Sequence, residues 1–157
     1  MSRLVKGLLL VIVHVGLVLA VAAKYYNDRA SLPRAWALAA PYDPNLPIRG
    51  RYVQMQLVVE PRDAQFTRDG WATLSVEDGK LAAAPSDAGV WVRRLGSGRT
   101  VLAEPVAFFI PERVADPSRR APGEELWVEV SVPKEGPPRP VRLGVKGDGV
   151  LTPLTFN

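Results

Sequence analysis

Cysteine is absent from this chain of 157 residues, and histidine occurs only once, at His14. Without cysteine there is no disulfide, no thiolate nucleophile and no cysteine metal site. Because His14 lies inside an apolar N-terminal segment, a Ser-His-Asp triad is excluded from the rest of the chain. A zinc site there would need carboxylate ligands alone, which is uncommon. We therefore predict no catalytic residue, no metal site and no cofactor, and a protein that is not an enzyme.

Charge of one sign is also scarce once the amino terminus is set aside. The formal net charge is +4, and Arg3 and Lys6 supply two of those charges, so residues 24–157 carry about +2. So small an excess does not indicate nucleic-acid binding. We therefore predict no nucleic-acid partner.

The chain does have a long apolar segment at its N-terminal end. Residues 7–23 carry no formal charge when His14 is neutral. At about 1.5 Å per residue, a helix over residues 4–23 extends about 30 Å, enough to cross the hydrocarbon core of a bilayer. We predict a cytoplasmic tail at residues 1–3 and a transmembrane signal-anchor helix at residues 4–24, single-pass in the lipid bilayer of the cytoplasmic (inner) membrane.

The orientation of this segment is read from the charges that flank it. Arg3 and Lys6 favour a cytoplasmic amino terminus, with the C-terminal domain on the periplasmic or extracytoplasmic side, although Lys24 opposes this bias. A cleavable signal peptide is the alternative, because Ala20-Val21-Ala22 offers a small-x-small cleavage site. The basic and aromatic residues Lys24-Tyr25-Tyr26 favour a retained helix, since such residues sit at membrane interfaces.

His14 is an ionisable residue in the middle of the predicted transmembrane helix. A charge there is costly, so such residues are functional candidates by default. One interpretation is a neutral side chain with no important partner. The other is a polar contact with a polytopic membrane protein.

The strongest strand in the sequence runs from Tyr52 to Glu60. Four apolar residues at alternating positions share one face, and these are Val53, Met55, Leu57 and Val59. A period of two predicts a half-buried strand. Residues 25–40 before it, where Pro33 disfavours further helix, are predicted to be a linker, and residues 41–157 an extracytoplasmic β domain.

Further short strands are expected along the rest of the chain. Asp78-Gly79 predicts a tight hairpin turn, because these residue types tolerate positive φ, and the apolar run from Val106 to Ile110 predicts a buried strand. Helical spacing is absent from the domain, and seven or eight strands are expected. The fold class is therefore a single all-β domain, a small antiparallel barrel or sandwich, preceded by one N-terminal transmembrane helix.

The domain contains Asp43-Pro44, Leu46, Arg49-Gly50 and Tyr52-Val53, and later residues 108–112 followed by residues 125–132. Over roughly residues 40–151 this order resembles the bacterial GDYXXLXY family of small membrane-anchored proteins. Gly50 and Tyr52 stand where the family has them, whereas Arg51, Met55 and Leu57 stand where it has Asp, Leu and a second Tyr. The resemblance implies a polytopic membrane partner that is encoded nearby. The candidate motif or interaction residues are Asp43, Pro44, Gly50, Tyr52, Gln54 and Glu112.

A second layout, an anchor followed by Pro44-Asn45-Leu46, a glycine and a strand, looks like that of type I signal peptidases. In those enzymes the nucleophilic serine just precedes the Pro-x-Leu step, where this chain has Tyr42 and Asp43. Ser75 and Lys80 are candidates for a Ser-Lys dyad, but residues that flank a hairpin turn more often belong to a solvated face. This resemblance implies at most a related β fold with little or no catalysis.

These observations together predict a membrane-anchored accessory or interaction module that works with a polytopic membrane protein. Two alternatives stay open. One is a signal-peptidase-like β fold, and the other is an exported ligand-binding protein that is released by signal cleavage.

Overall fold

The structure is a computed structural model that describes residues 3–42, 52–62 and 68–156. The chain divides into two units, Met1–Leu32 and Pro33–Asn157. Asp43, Pro44 and Gly50, three of the predicted motif residues, lie outside the described residues.

The first unit contains helix α1, which spans Arg3–Ser31. Its leucine, valine and alanine residues suit a helix in an apolar medium, and it ends just before Pro33, which disfavours helical geometry in the residue that precedes it. The segment Leu4–Asp28 is long and apolar enough to cross a membrane, a test that a signal sequence also passes. The predicted N-terminal apolar helix is confirmed, and it extends beyond residue 24.

The predicted linker at residues 25–40 was wrong for most of its length. Residues up to Ser31 belong to α1, and strand β1 spans Arg34–Pro41. The second unit therefore begins at Pro33 instead of residue 41. Alternate residues of β1 are buried, namely Ala35, Ala37 and Ala39. Alanine is depleted in strands because it offers little side chain to pack, so the residues of β1 do not by themselves predict a strand.

The described residues after β1 form nine further strands. They are β2 (Tyr52–Pro61), β3 (Gly70–Glu77), β4 (Lys80–Pro85), β5 (Val90–Arg94), β6 (Thr100–Leu102), β7 (Val106–Phe109), β8 (Glu125–Ser131), β9 (Arg139–Gly147) and β10 (Val150–Pro153). Asp78 and Gly79 have φ of 48° and 74°, which confirms the tight β3–β4 hairpin turn.

Six of the strands, including β1, close into a barrel. The order is β1-β4-β3-β5-β6-β2, and β2 pairs again with β1 to complete the circle. Strands β8, β9 and β10 extend the sheet from β1, while β7 pairs with β2. The prediction of one all-β domain is confirmed as a barrel. Most pairs are antiparallel as expected, but β4 pairs in parallel with both β1 and β2.

The barrel core is built from the apolar faces of these strands. The four residues of β2 that were predicted to share a face are all buried there. Burial of one such side chain stabilises the fold by about 1.5 to 3 kcal/mol. The largest fully buried side chains include Met55, Leu57, Leu81, Leu143, Val59 and Val128. The predicted alternation along β2 is confirmed.

A row of side chains on the outer face joins β1 to β8 and β9. Trp36 is opposite Glu129, which is opposite Arg142. Glu129 is 6% exposed, and its Oε2 accepts a hydrogen bond from Arg142 Nε at 2.7 Å. Arg34 Nη1 lies 3.6 Å from the same oxygen, and the Arg142 guanidinium lies 5.5 Å from the Trp36 ring centre. A buried carboxylate is tolerated only with such partners, so this row fixes the β1–β8–β9 register.

Removal of β1 should abolish the fold of the domain. A fragment of residues 33–157 should show a β-type circular dichroism spectrum and melt cooperatively. A fragment of residues 42–157 should not, because the barrel cannot close and β8 loses its partner. Cooperative melting of the shorter fragment at the temperature of the longer one would contradict the role given to β1.

Candidate functional site

A groove of about 810 Å³ lies where the end of β1 and the start of β2 meet the segment that precedes β8. Tyr42, Tyr52 and Gln54 line it from the strand side. The other side is formed by residues 116–126, and Arg99 adds a further cation. Tyr52 and Gln54, both predicted from the sequence, therefore lie together in one groove.

The segment opposite β2 is held in shape by local hydrogen bonds. Asp116 Oδ1 accepts hydrogen bonds from the Ser118 backbone N–H at 2.9 Å and from Ser118 Oγ at 2.7 Å. Farther along, Glu124 Oε2 accepts from the Ala121 N–H at 3.3 Å. Carboxylates of this kind stabilise turns by bonding nearby backbone N–H groups. The wall of the groove is thus built by its own acidic residues.

The described residues that line the groove include three cations and three anions. The anions make hydrogen bonds inside the fold: Asp116 and Glu124 hold turns, and Glu125 Oε2 accepts from Trp127 Nε1 at 3.1 Å. The cations are Arg99, Arg119 and Arg120. No ion pair joins these arginines to a carboxylate within the described part of the chain. The groove therefore presents guanidinium groups that are not committed to the fold.

Among the described residues, two buried polar atoms of groove residues have no hydrogen-bond partner, Gln54 Oε1 and Arg120 Nε. One is an acceptor and the other is a donor. A buried polar group without a partner costs about 1 to 3 kcal/mol. Both atoms are closed to solvent, so a ligand in the groove reaches them only if the surrounding side chains move.

Tyr52 is half-buried on the outer face of β2. Its ring centre lies 6.2 Å from that of Phe109, which is 73% exposed. Farther along the same face, Gln56 is buried at 4% exposure and its Nε2 donates to the Leu102 carbonyl at 3.5 Å. The face opposite the core is therefore neither fully solvated nor part of the core, and it is most deeply buried at Gln56, in the middle of the strand.

The remaining predicted site residues are not in this groove. Glu112 is exposed and does not line the groove. His14 lies in helix α1, which belongs to the other unit of the chain. Among the described residues, no three His, Cys, Asp or Glu side chains are grouped to hold a metal ion. The sequence alone does not assign Arg119 and Arg120 to a site, because their position opposite Gln54 depends on the fold.

Ser75 and Lys80 do not form the hydrogen-bonded pair that a Ser-Lys dyad needs. Lys80 Nζ donates to Glu60 Oε1 at 2.7 Å, whereas Ser75 Oγ is buried and has no partner among the described residues. The hydrogen bond that Lys80 donates to Glu60, and then the negative charge of Glu60, raise the pKa of Lys80 above its usual value. A lysine that acts as a general base needs a lowered pKa, so these contacts oppose that chemistry.

Comparison of the chain with protein-family models, curated proteins and solved structures found no match in any of the three. The similarity to the GDYXXLXY family therefore stays a prediction. The groove and helix α1 are the features that bear on function.

Replacement of Glu60 by Gln should lower the pKa of Lys80 back towards the ordinary lysine value, as measured by NMR titration of the side chain. The raised pKa means that the ion pair stabilises the fold below the ordinary lysine pKa, and that this contribution is lost as the pH rises through the folded-state pKa. Glu77→Gln is the matched control, because Glu77 pairs with Arg62. A Lys80 pKa below the ordinary lysine value in the unmodified protein would contradict this prediction and would again favour a Ser75–Lys80 dyad.

Proposed function

We propose that the protein is a single-pass membrane protein of the cytoplasmic membrane, with its barrel domain on the extracytoplasmic side. The support is the length and apolar character of Leu4–Asp28, together with Arg3 and Lys6 at its N-terminal end. Basic residues in short flanking segments favour the cytoplasmic side. In this proposal α1 is retained and is not cleaved after Ala22.

The barrel domain, in this proposal, is an accessory module that binds an extended segment of a polytopic membrane protein. The observation that carries this is the groove itself, in which the guanidinium groups of Arg99, Arg119 and Arg120 have no ion-pair partner among the described residues. A carboxylate of a bound peptide suits these guanidinium groups. Apolar groove residues that are only half-buried, such as Leu38 and Ala40, would contact its side chains.

The position of the groove within the domain also suits a polypeptide ligand. Strand β1 has eight residues, from Arg34 to Pro41, which corresponds to about 26 Å at 3.3 Å per residue. The groove lies at the far end of this strand from Pro33, where the chain enters the domain. A groove that is open between strand ends and a loop can admit an extended polypeptide segment.

A reporter enzyme fused after Asn157 should be active only outside the cytoplasm, and mass spectrometry of the membrane-bound chain should find residues 1–22 still attached. An active cytoplasmic reporter would overturn the orientation. A mature chain that begins near Ala23 would instead support the released ligand-binding protein.

A photoreactive amino acid at Ala121, which is exposed and lines the groove, should crosslink the full-length chain to a polytopic membrane protein. The same probe at Thr152, an exposed residue of β10, should not. Arg120→Ala should reduce the crosslink about tenfold or more, since a hydrogen bond to a charged group contributes about 1.5 to 3 kcal/mol.

Arg113→Ala is the matched control for that variant, because Arg113 is exposed and does not line the groove. It should leave the crosslink unchanged, and the two variants should melt like the original protein. Equal crosslinking from Ala121 and Thr152, or equal loss in the two arginine variants, would refute binding in the groove.

A further inference from the structure

His14 lies close to the centre of the segment that is able to cross a membrane. The segment Leu4–Asp28 has its midpoint at residue 16, so His14 is two residues, or about 3 Å along the axis, from the midpoint. A charged imidazolium at this depth is costly, which favours the uncharged ring.

The tautomer of this uncharged ring is set by the helix itself. His14 Nδ1 lies 2.9 Å from the backbone carbonyl oxygen of Leu10, one turn earlier. A carbonyl oxygen can only accept, so Nδ1 carries the hydrogen and donates it. The other ring nitrogen, Nε2, is then an acceptor, and within the described part of the chain it has no partner. An acceptor without a donor is unfavourable in hydrocarbon, where no water replaces it.

A second copy of α1 supplies the missing donor only by giving up a hydrogen bond of its own. Between Leu4 and Ala23 the side chains that carry a hydrogen-bond donor are those of Lys6 and His14. Lys6 is eight residues, or about 12 Å, from His14 along the helix. A second His14 in the same tautomer offers another acceptor, and in the other tautomer it loses its bond to the Leu10 carbonyl. Pairing of identical parallel helices therefore gains one hydrogen bond and loses another.

We infer that His14 Nε2 accepts a hydrogen bond from a donor side chain, such as a serine, threonine, asparagine or glutamine, in a transmembrane helix of a different protein. This inference rests on the proposed function, because it requires α1 to span the membrane. It deepens that proposal by giving the chemistry of the partner helix. Side chains of these types form contacts between helices in membranes.

The test uses the full-length chain in phosphatidylcholine vesicles, with energy transfer to a labelled polyleucine transmembrane peptide. One peptide carries a central Gln, whose amide is a donor, and its control carries Leu at that position. The chain should bind the Gln peptide about three- to tenfold more tightly than the Leu peptide, the range expected for one interhelical hydrogen bond. His14→Leu should remove this preference, and His14→Gln should restore it, because glutamine again offers an acceptor.

Equal binding of both peptides by the original chain would overturn the inference, and so would self-association of the chain that is lost in His14→Leu. Carbonate extraction of the same vesicles separates this failure from failure of the proposed function. A chain that stays inserted but does not discriminate between the peptides refutes only the partner chemistry. A chain that washes off refutes the membrane anchor and the inference with it.

Discussion

The β domain depends on the hydrogen bonds that β1 makes with three other strands. Its first residues pair with β8, its last residues pair with β2, and Trp36 is opposite Lys80 of β4. The pairs with β4 and β2 close the barrel, while the pair with β8 attaches β9 and β10 as well. Because unpaired buried backbone groups are costly, a domain without β1 would expose strand edges on both sides of the gap.

Local patterns in the sequence were sufficient to predict the strands that carry large apolar residues. Alternation along β2 and the Asp78-Gly79 turn were both read correctly, because each depends on residues close in sequence. Strand β1 was missed because its inward residues are alanines, which occupy the space that the larger residues of β2 and β8 leave. Its identity as a strand follows from what it packs against, not from its own composition. Local patterns also cannot predict the parallel pairing of β4 with β1 and β2, because these strands are far apart in the chain.

The candidate site residues also differ in whether the local sequence was sufficient to predict them. Tyr52 and Gln54 were predicted from their place on the outer face of β2, and His14 from its isolation in an apolar segment. Arg120 could not be assigned, because only the folded chain brings the 116–126 segment opposite β2. Within the described residues, Gln54 Oε1, Arg120 Nε and His14 Nε2 have no hydrogen-bond partner, and this too depends on the folded chain. In each case the fold itself decides which polar atoms are satisfied and which are left for a partner.

A single partner that meets both sites would not need a strong contact at either. An interhelical hydrogen bond in a membrane contributes only about 0.6 to 2 kcal/mol, and the groove offers a small number of polar contacts. Yet α1 ends at Ser31 and β1 begins at Arg34, so the connection is far shorter than the predicted linker of residues 25–40. A short connection between two binding elements raises the effective concentration of the second contact once the first has formed. A polytopic membrane protein offers a helix for His14 and an extramembrane segment for the groove, so two weak contacts on one chain would act together as a specific one.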